Sequence, residues 1–435
     1  MIDLKAKTFK NGIHIPHNKH TNETELVECP APSVVYVPLS QHIGKPAQAV
    51  VSVGDKVKAG TLVGRADGLM SADVFSSVSG VVKSIERRKK PTGGACEHIV
   101  IENDGLYETK QLPPMQDKSS ENLLKRVREA GLVGMGGAGF PAHIKFAPKS
   151  PVDTFLINAA ECEPYITCDY RLLVERTEEV LRGALYFANI LGINSFHVGI
   201  EDNKPLAAEL IVRTAQKVGI AVSVTRLKSK YPQGAEKQLI YAVTGRKVPP
   251  GKLPSDVGVV VGNVHTAYAL YQAVEYDTPL YMRAVTVCGG GVNTPRNLWV
   301  RTGTRYSDCV DFCGGLTDDC VKIISGGPMM GFALGSLDFS VTKTSGAVLA
   351  LGSDEASVSQ PNPCINCGKC AKACPMNLMP MYIDAYTLRG DYKSSKKYGA
   401  MSCIECGCCA YSCPAKRPIV QSVRLAKSKI KELGL

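Results

Sequence analysis

No stretch of this 435-residue chain stays apolar for the ~18 positions that would suggest a membrane-spanning helix. The opening residues Met1-Ile2-Asp3-Leu4-Lys5 lack the apolar core of a secretory signal. Both absences lead to the expectation of a chain that stays on the cytoplasmic side. No nucleic-acid recognition motif accompanies the net charge of +11. Its basic clusters, Arg87-Arg88-Lys89-Lys90, Lys393 with Lys396-Lys397, and Lys427, Lys429 and Lys431, are scattered. Nucleic acid is therefore not an expected partner. An anionic membrane surface or an acidic protein fits such charge, and a solvated face is the default for any single cluster. The rest is ordinary for a globular protein, with 44% hydrophobic and 21% charged residues. The length leaves room for about three domains.

Cysteine is abundant, at 17 residues. Eight of them fall in two copies of one pattern. The first is Cys364-x2-Cys367-x2-Cys370-x3-Cys374-Pro375, and the second is Cys403-x2-Cys406-x2-Cys409-x3-Cys413-Pro414. This is the run with which bacterial ferredoxins hold 4Fe–4S clusters, the fourth cysteine reaching across to the other cube. The rule assigns Cys364, Cys367, Cys370 and Cys413 to one cluster, and Cys403, Cys406, Cys409 and Cys374 to the other. Cys408 is out of register and is expected to ligate nothing. Structural zinc sites take two ligand pairs separated by a longer loop, which fits neither run. Iron–sulfur cubes carry single electrons, so the pattern implies an electron-transfer path. Assembly of clusters needs a reducing compartment, so the other nine cysteines are expected to be reduced and often buried.

Residues 31–118 read as short strands punctuated by glycine, among them 34–39 and 77–82, with a Gly-Asp turn between apolar stretches over 50–57. They predict a small barrel or sandwich preceded by an N-terminal arm over 1–30. Gly54-Asp55-Lys56-Val57-Lys58-Ala59-Gly60 resembles the barrel-sandwich shape of biotin- and lipoyl-carrying domains, without their lysine-bearing hairpin tip. Residues 119–282 alternate helix and strand, with helices over 121–130, 170–191 and 206–218, and strands over 154–158, 195–200, 221–225 and 257–261. That order predicts an α/β domain with a mostly parallel sheet. Residues 283–352 return to β signals. Residues 353–435 form the cluster domain, its cluster-bearing stretch starting near Ser359. Short helices are expected around the cubes, with a basic helix over about 419–433.

Gly134-Met135-Gly136-Gly137-Ala138-Gly139-Phe140-Pro141 is the glycine-rich loop of the α/β domain. Glycine lets backbone N–H groups approach a phosphate. The loop follows a helix and lacks both the Rossmann spacing and a Gly-Lys-Ser/Thr. Together with Lys145, Asn158-Ala159-Ala160-Glu161-Cys162-Glu163-Pro164, Tyr231-Pro232-Gln233-Gly234-Ala235-Glu236 and Asn263-Val264-His265-Thr266, it resembles the flavin-binding NADH subunit of respiratory complex I. That resemblance implies a modified Rossmann-like fold that holds FMN and presents NADH to it. The residues it points to for cofactor binding are Gly134, Gly136, Gly137, Gly139, Lys145, Asn158, Glu161, Tyr231, Gly234, Glu236, Asn263 and Thr266. Glu163 and Phe140 would contact the reacting groups. Two departures stand out. Complex I carries no doubled ferredoxin run here, and Ala160 replaces an aspartate of that family.

From about residue 9 to about residue 425 the chain is similar to the C subunits of the Rnf complex family. The matching segments are Gly12-Ile13-His14-Ile15-Pro16-x2-Lys19, Asn158 to Thr167, Gly199 to Pro205, Lys230 to Gly234, and Gly326-Gly327-Pro328-Met329-Met330-Gly331. The resemblance implies a peripheral subunit of a membrane-bound, ion-translocating NAD:ferredoxin oxidoreductase. It also implies a soluble-ligand-binding-like β domain over 283–352 and neighbours that include a ferredoxin-like iron–sulfur subunit. Two 4Fe–4S clusters and noncovalent FMN are the implied cofactors, with NAD(H) as substrate. A soluble NADH-dependent cobalamin reductase shares the flavin and cluster motifs and is the alternative. A ferredoxin-type adaptor whose α/β domain lacks flavin is a third possibility.

Several residues invite simpler readings. Glu161 and Glu163, taken alone, read as helix-cap or surface carboxylates. His14 and His265 read as structural, having no partners at metal-ligand spacing. Cys309, Cys313 and Cys320 lack a fourth ligand, and Cys162 and Cys168 read as small buried thiols.

Overall fold

The computed structural model describes residues 2–356 and 360–435, with side chains from Lys5 onward. The expected start of the cluster-bearing stretch at Ser359 lies outside the described residues.

The first β unit is two small sheets packed face to face. One has the order Val34–Pro38, Ala95–Asn103, Gly80–Lys89, Lys56–Val57, and the other Gln48–Ala49, Leu62–Arg65, Val74–Phe75. Alternation decides the faces: Val35, Val37, Val82, Ile99 and Ile101 point into a core shared with Val63 and Val74. The Gly-Asp turn expected within 50–57 forms, and little of the run around it is strand. Asp55 accepts the Ser52 N–H at 2.8 Å, so only Lys56–Val57 pairs. A short polar side chain that binds backbone two or three residues away competes with the ladder.

The α/β unit holds a five-stranded sheet in the order Ile2–Lys7, Val222–Leu227, Phe196–Glu201, Thr154–Ala159, Val259–Asn263. Every pair in it is parallel. The fifth strand comes from residues expected to be an arm. The long helix expected over 170–191 is two helices, Cys168–Glu175 and Thr177–Ile190, broken at Arg176 with φ −131° and ψ 40°. Thr177 Oγ1 donates to the Leu173 carbonyl at 2.7 Å across the break. Phe146, just after the glycine loop, stacks on Phe187 with ring centroids 3.7 Å apart, and Phe155 meets Phe146 edge-on at 5.6 Å. These rings tie the loop to helix and sheet.

The second β unit is a six-stranded mixed sheet, ordered Phe332–Leu334, Cys320–Ser325, Ala347–Gly352, Met282–Cys288, Arg296–Arg301, Leu26–Glu28. The arm therefore contributes an edge strand here as well. Cys309 and Cys313 pack in this core beside Cys29, and Cys320 is half-buried on its strand.

The C-terminal unit is short helices, and no strand occurs among the described residues of 360–435. The two cysteine runs repeat a backbone trace. Asn366 and Glu405, Gly368 and Gly407, and Asn377 and Lys416 all adopt positive φ at matching positions. Helix Ile419–Glu432 buries Ile419, Val420, Val423, Ala426 and Ile430 within this unit. Its apolar stripe is thus consumed by domain packing.

Candidate flavin and cluster sites

In an open parallel sheet, a ligand crevice forms at the carboxyl ends of strands where the winding direction reverses. Here Thr154–Ala159 is the first strand of the alternating unit. The chain winds from it to Phe196–Glu201 and Val222–Leu227, and later returns to place Val259–Asn263 on its other side. The reversal brings Asn158 and Asn263 together at the strand ends. The glycine loop lies over this crevice.

Asn263 and Thr266 hold the loop. Asn263 Oδ1 accepts the His265 and Thr266 N–H groups, capping helix Val264–Glu275, and its Nδ2 donates to Asp169 at 2.6 Å. Thr266 Oγ1 donates to the Val133 carbonyl and accepts the Met135 N–H at 3.0 Å. A Cβ on Gly136 would lie 2.6 Å from Asn263 Nδ2, so that glycine allows the loop to close on its support. Gly139 has φ +73°, and Gly134 donates its N–H to the Phe140 carbonyl at 2.8 Å. Gly137 differs: it is exposed like Gly136, but a Cβ there would meet nothing within 4 Å. An open face of bare backbone at the switch point fits a flat ring system or a phosphate. Lys145 lies in the half-buried helix Ala142–Lys145 after the loop and pairs with Glu236 at 2.7 Å. Phe140 is half-buried.

The segment after Asn158 is cross-linked from below. Asn158 Nδ2 donates to the Gly234 carbonyl at 2.8 Å, and the Gly234 N–H reaches Cys162 Sγ at 3.2 Å. Ala160, where the complex I family carries aspartate, is fully buried, and its carbonyl accepts Lys204 Nζ at 2.5 Å. Lys204 also pairs with Glu201 at 2.7 Å, both residues being buried. Glu161 adopts φ 46°, and its carboxylate accepts the Asp169 and Tyr170 N–H groups at 2.7 and 3.2 Å. That makes it the cap of helix Cys168–Glu175. Burial, opposed by Lys19, pushes its carboxyl up to about 7. Glu163 accepts Met329 and Met330 N–H groups at 3.2 and 2.8 Å, and burial likewise takes it to about 7. Both oxygens of Glu163 are thus bound to the Gly326–Gly331 loop, which describes a positioning residue rather than one facing a substrate. Gly327 leaves room for that carboxylate, since a Cβ there would sit 2.4 Å from Glu163 Oε2. Burial raises the Cys162 thiol to about 12 and holds His265 well below its usual range.

The eight cysteines gather around two small, partly open cavities. Cys364, Cys367, Cys370 and Cys413 line one, and Cys374, Cys403, Cys406 and Cys409 the other. Each set combines three cysteines of one run with the fourth of its partner, and four thiols around such a space fit a four-iron cube. Cys408 borders the second cavity, but its Sγ lies 3.9 Å from the Tyr231 carbonyl. The cavities differ in setting. Cys364 and Cys367 are exposed, whereas Cys374, Cys406 and Cys409 are buried. Cys406 and Cys408 pack against Tyr231, Ile15 and Cys162, so the buried cavity abuts the Asn158–Pro164 and Tyr231–Gly234 segments, together the flavin-side loop. Lys427 Nζ donates to the Cys403 carbonyl at 2.7 Å and to Glu405 at 2.6 Å. It is therefore committed to this cavity, whereas Lys429 pairs with Glu432 on the helix's outer side at 2.9 Å and Lys431 is exposed.

Lys19, Lys204, Asp169 and Met329 were not singled out from the sequence as site residues. The signal for Lys19, Lys204 and Met329 lay in the three motifs that contain them.

A glycine crevice at a sheet switch point beside two four-thiol cavities defines a flavin-dependent iron–sulfur electron-transfer protein. Family models agree: an RnfC barrel sandwich hybrid domain matches residues 7–106, a Nuo51 FMN-binding domain 127–272, an SLBB domain 284–333 and a 4Fe-4S dicluster domain 356–414. The chain is 45% identical to the C subunit of the proton-translocating ferredoxin:NAD(+) oxidoreductase complex of Clostridium ljungdahlii, over 98% of this chain and 95% of that protein. It is 42% identical to the Na(+)-translocating counterpart of Acetobacterium woodii, over 99% and 98%. It is 40% identical to the C subunit of the ion-translocating oxidoreductase complex of Rhodobacter capsulatus, over 99% and 84%. The chain belongs to this family of C subunits, that of the Rnf complex. An NAD+-reducing [NiFe]-hydrogenase shares its fold, with TM-score 0.52 at 19% identity over 74% of this chain and 62% of that one.

Proposed function

We propose that this chain exchanges electrons with NAD(H) at FMN and passes them singly through two 4Fe–4S clusters, as part of a complex that couples NAD:ferredoxin oxidoreduction to ion translocation. The observation that carries this reading is the contact between the flavin-side loop and the buried four-thiol cavity. FMN, when bound, supplies the conversion between a two-electron hydride and single electrons. The chain's own residues do the rest. Gly137 leaves the crevice open, Gly134, Gly136 and Gly139 shape the loop, and Asn263 and Thr266 hold it. Lys145, Glu236, Asn158, Glu161, Tyr231 and Gly234 line or brace the floor, and Phe140 flanks the nucleotide. Cys364, Cys367, Cys370 and Cys413 ligate the exposed cluster, and Cys403, Cys406, Cys409 and Cys374 the buried one. In this division residues 31–118 are a structural module, 119–282 bind FMN and NAD(H), 283–352 brace Glu163, and 353–435 carry the clusters.

No helix among the described residues is long and apolar enough to cross a membrane. Ion movement therefore belongs to other subunits, and the chain docks on the cytoplasmic face of the membrane complex beside a ferredoxin-like partner. The test is NADH-dependent reduction of ferredoxin, and its reverse, by the isolated complex. A complex containing this chain with FMN and about eight irons bound to it, yet inert in both directions, would refute the reading. NADH-dependent cobalamin reduction by the chain alone would favour the reductase alternative.

A further inference from the structure

One segment touches the flavin-side loop and the buried cluster cavity at once, and nothing above uses it. Asn11 Nδ2 donates to the Cys374 carbonyl at 3.1 Å and to Asn377 Oδ1 at 2.9 Å. The Gly12 N–H donates to the Ala373 carbonyl at 3.1 Å. Ile13 and Tyr231 exchange both backbone hydrogen bonds, each at 2.9 Å. Ile15 is buried with Tyr231, Ala373, Cys406 and Cys408. The His17 carbonyl accepts the Tyr165 N–H at 2.9 Å. Lys19 Nζ ends the run inside a cage of carbonyls, 2.8 Å from Glu161 and 2.7 Å from Glu163, with Ile166 the third. Asn11 and Gly12 both take positive φ, which turns the chain from the cluster unit toward Tyr231.

Nine residues thus run from the backbone of one cluster cysteine to the backbone of the flavin-side loop, and both ends are held by polar atoms. We propose that residues 11–19 are a strap that sets the gap between the bound flavin and the cube held by Cys374, Cys403, Cys406 and Cys409, making that cube the first to exchange electrons with the flavin. The proposal rests on the functional reading above. For each hydride taken from NADH, two electrons cross this gap in turn. Each reduces this cube by one electron before moving on to the exposed cube, and the proton of the hydride leaves to solvent. Glu163 and the Gly326–Gly331 loop also reach the cluster unit, since a Cβ on Gly407 would lie 2.8 Å from the Met329 carbonyl.

The test uses the full chain loaded with FMN and both clusters, as wild type, Gly12→Ala and Asn11→Ala. A Cβ on Gly12 would meet the Tyr231 carbonyl at 2.6 Å and the Phe9 ring at 2.8 Å, so Gly12→Ala pushes the strap off its seat. Asn11→Ala removes the two cluster-side hydrogen bonds, adds the modest strain of alanine at φ 61°, and serves if Gly12→Ala does not fold. Three readouts are taken: flavin bleaching by NADH in stopped flow, the reduced-cluster EPR signal by freeze-quench, and amide exchange at Ile13 and Tyr231. The expected result is wild-type flavin bleaching, faster exchange at both amides, and cluster reduction slowed several-fold, because electron transfer between fixed centres falls off exponentially with their separation. Cluster reduction at the wild-type rate despite faster exchange would overturn the strap. So would unchanged exchange in both variants, or slowing that merely tracks iron lost from the chain. A wild-type flavin that NADH does not bleach would instead refute the functional reading.

Discussion

The buried Glu201–Lys204 pair offers the sharpest stability test. Lys204 Nζ is 2.7 Å from Glu201 Oε2 and 2.5 Å from the Ala160 carbonyl, and Glu201 is only 1% exposed. In Lys204→Met the Glu201 carboxylate stays buried without its cation, and the Ala160 carbonyl loses a donor. Removing one partner of a buried pair costs about 3–5 kcal/mol. At about 1.4 kcal/mol per factor of ten, the opening equilibrium of strand Phe196–Glu201 should rise by roughly two to three and a half powers of ten. Hydrogen exchange at the Val198 and Ile200 amides, under conditions where exchange reports that equilibrium, measures it directly. The double substitution Glu201→Leu with Lys204→Met removes both charges. It should recover about 2 kcal/mol of the loss, leaving about 1–3 kcal/mol for the orphaned carbonyl. A single variant that exchanges like wild type, or a double variant no better than the single, would refute the argument.

Other outcomes follow from the same geometry. Cys367→Ser should lose or convert one cube while Cys408→Ser retains about eight irons, read by iron and sulfide analysis with EPR; equal loss in both would break the ligand assignment. Gly137→Val should leave the unfolding curve unchanged yet abolish FMN retention, because the side chain enters open space. Gly136→Ala should weaken both, because its Cβ meets Asn263 at 2.6 Å. Lys427→Glu should deplete iron from the buried cavity by setting a carboxylate against Glu405 and the Cys403 carbonyl, whereas the paired reversal of Lys429 and Lys431 should keep both cubes. Burial lifts Glu163 from 4.5 to about 7. The unfolded chain therefore releases this proton first, and stability should fall as pH rises across that window. Glu163→Gln should flatten the urea-midpoint profile there, with Glu161 supplying a remaining slope; an unaltered profile would contradict the assignment.

The cysteine runs were legible without a structure because ligation of a cube imposes local spacing, and the paired runs also name the crossed fourth ligand. The glycine loop was legible for a similar reason: close backbone approach demands residues without side chains, and they stand together in the chain. Strand and helix alternation over 119–282 announced the parallel sheet through hydrophobic period alone. What the tertiary structure decided lies in contacts between distant segments. Ile2–Lys7 joins one sheet and Leu26–Glu28 another, although both read as an arm, because an edge strand needs only a partner ladder and carries no strong pattern of its own. Glu161 and Glu163 read as cofactor contacts through resemblance, yet their oxygens are bound to backbone N–H groups, two of them on a distant loop whose arrival no spacing foretells. Lys427 read as a free surface charge, and packing of its helix turned it onto Cys403. Lys19 carries the longest of these lessons. A motif contains this lysine, but no spacing states its role, which exists only because folding delivers three carbonyls from 142 to 147 residues away to one ammonium.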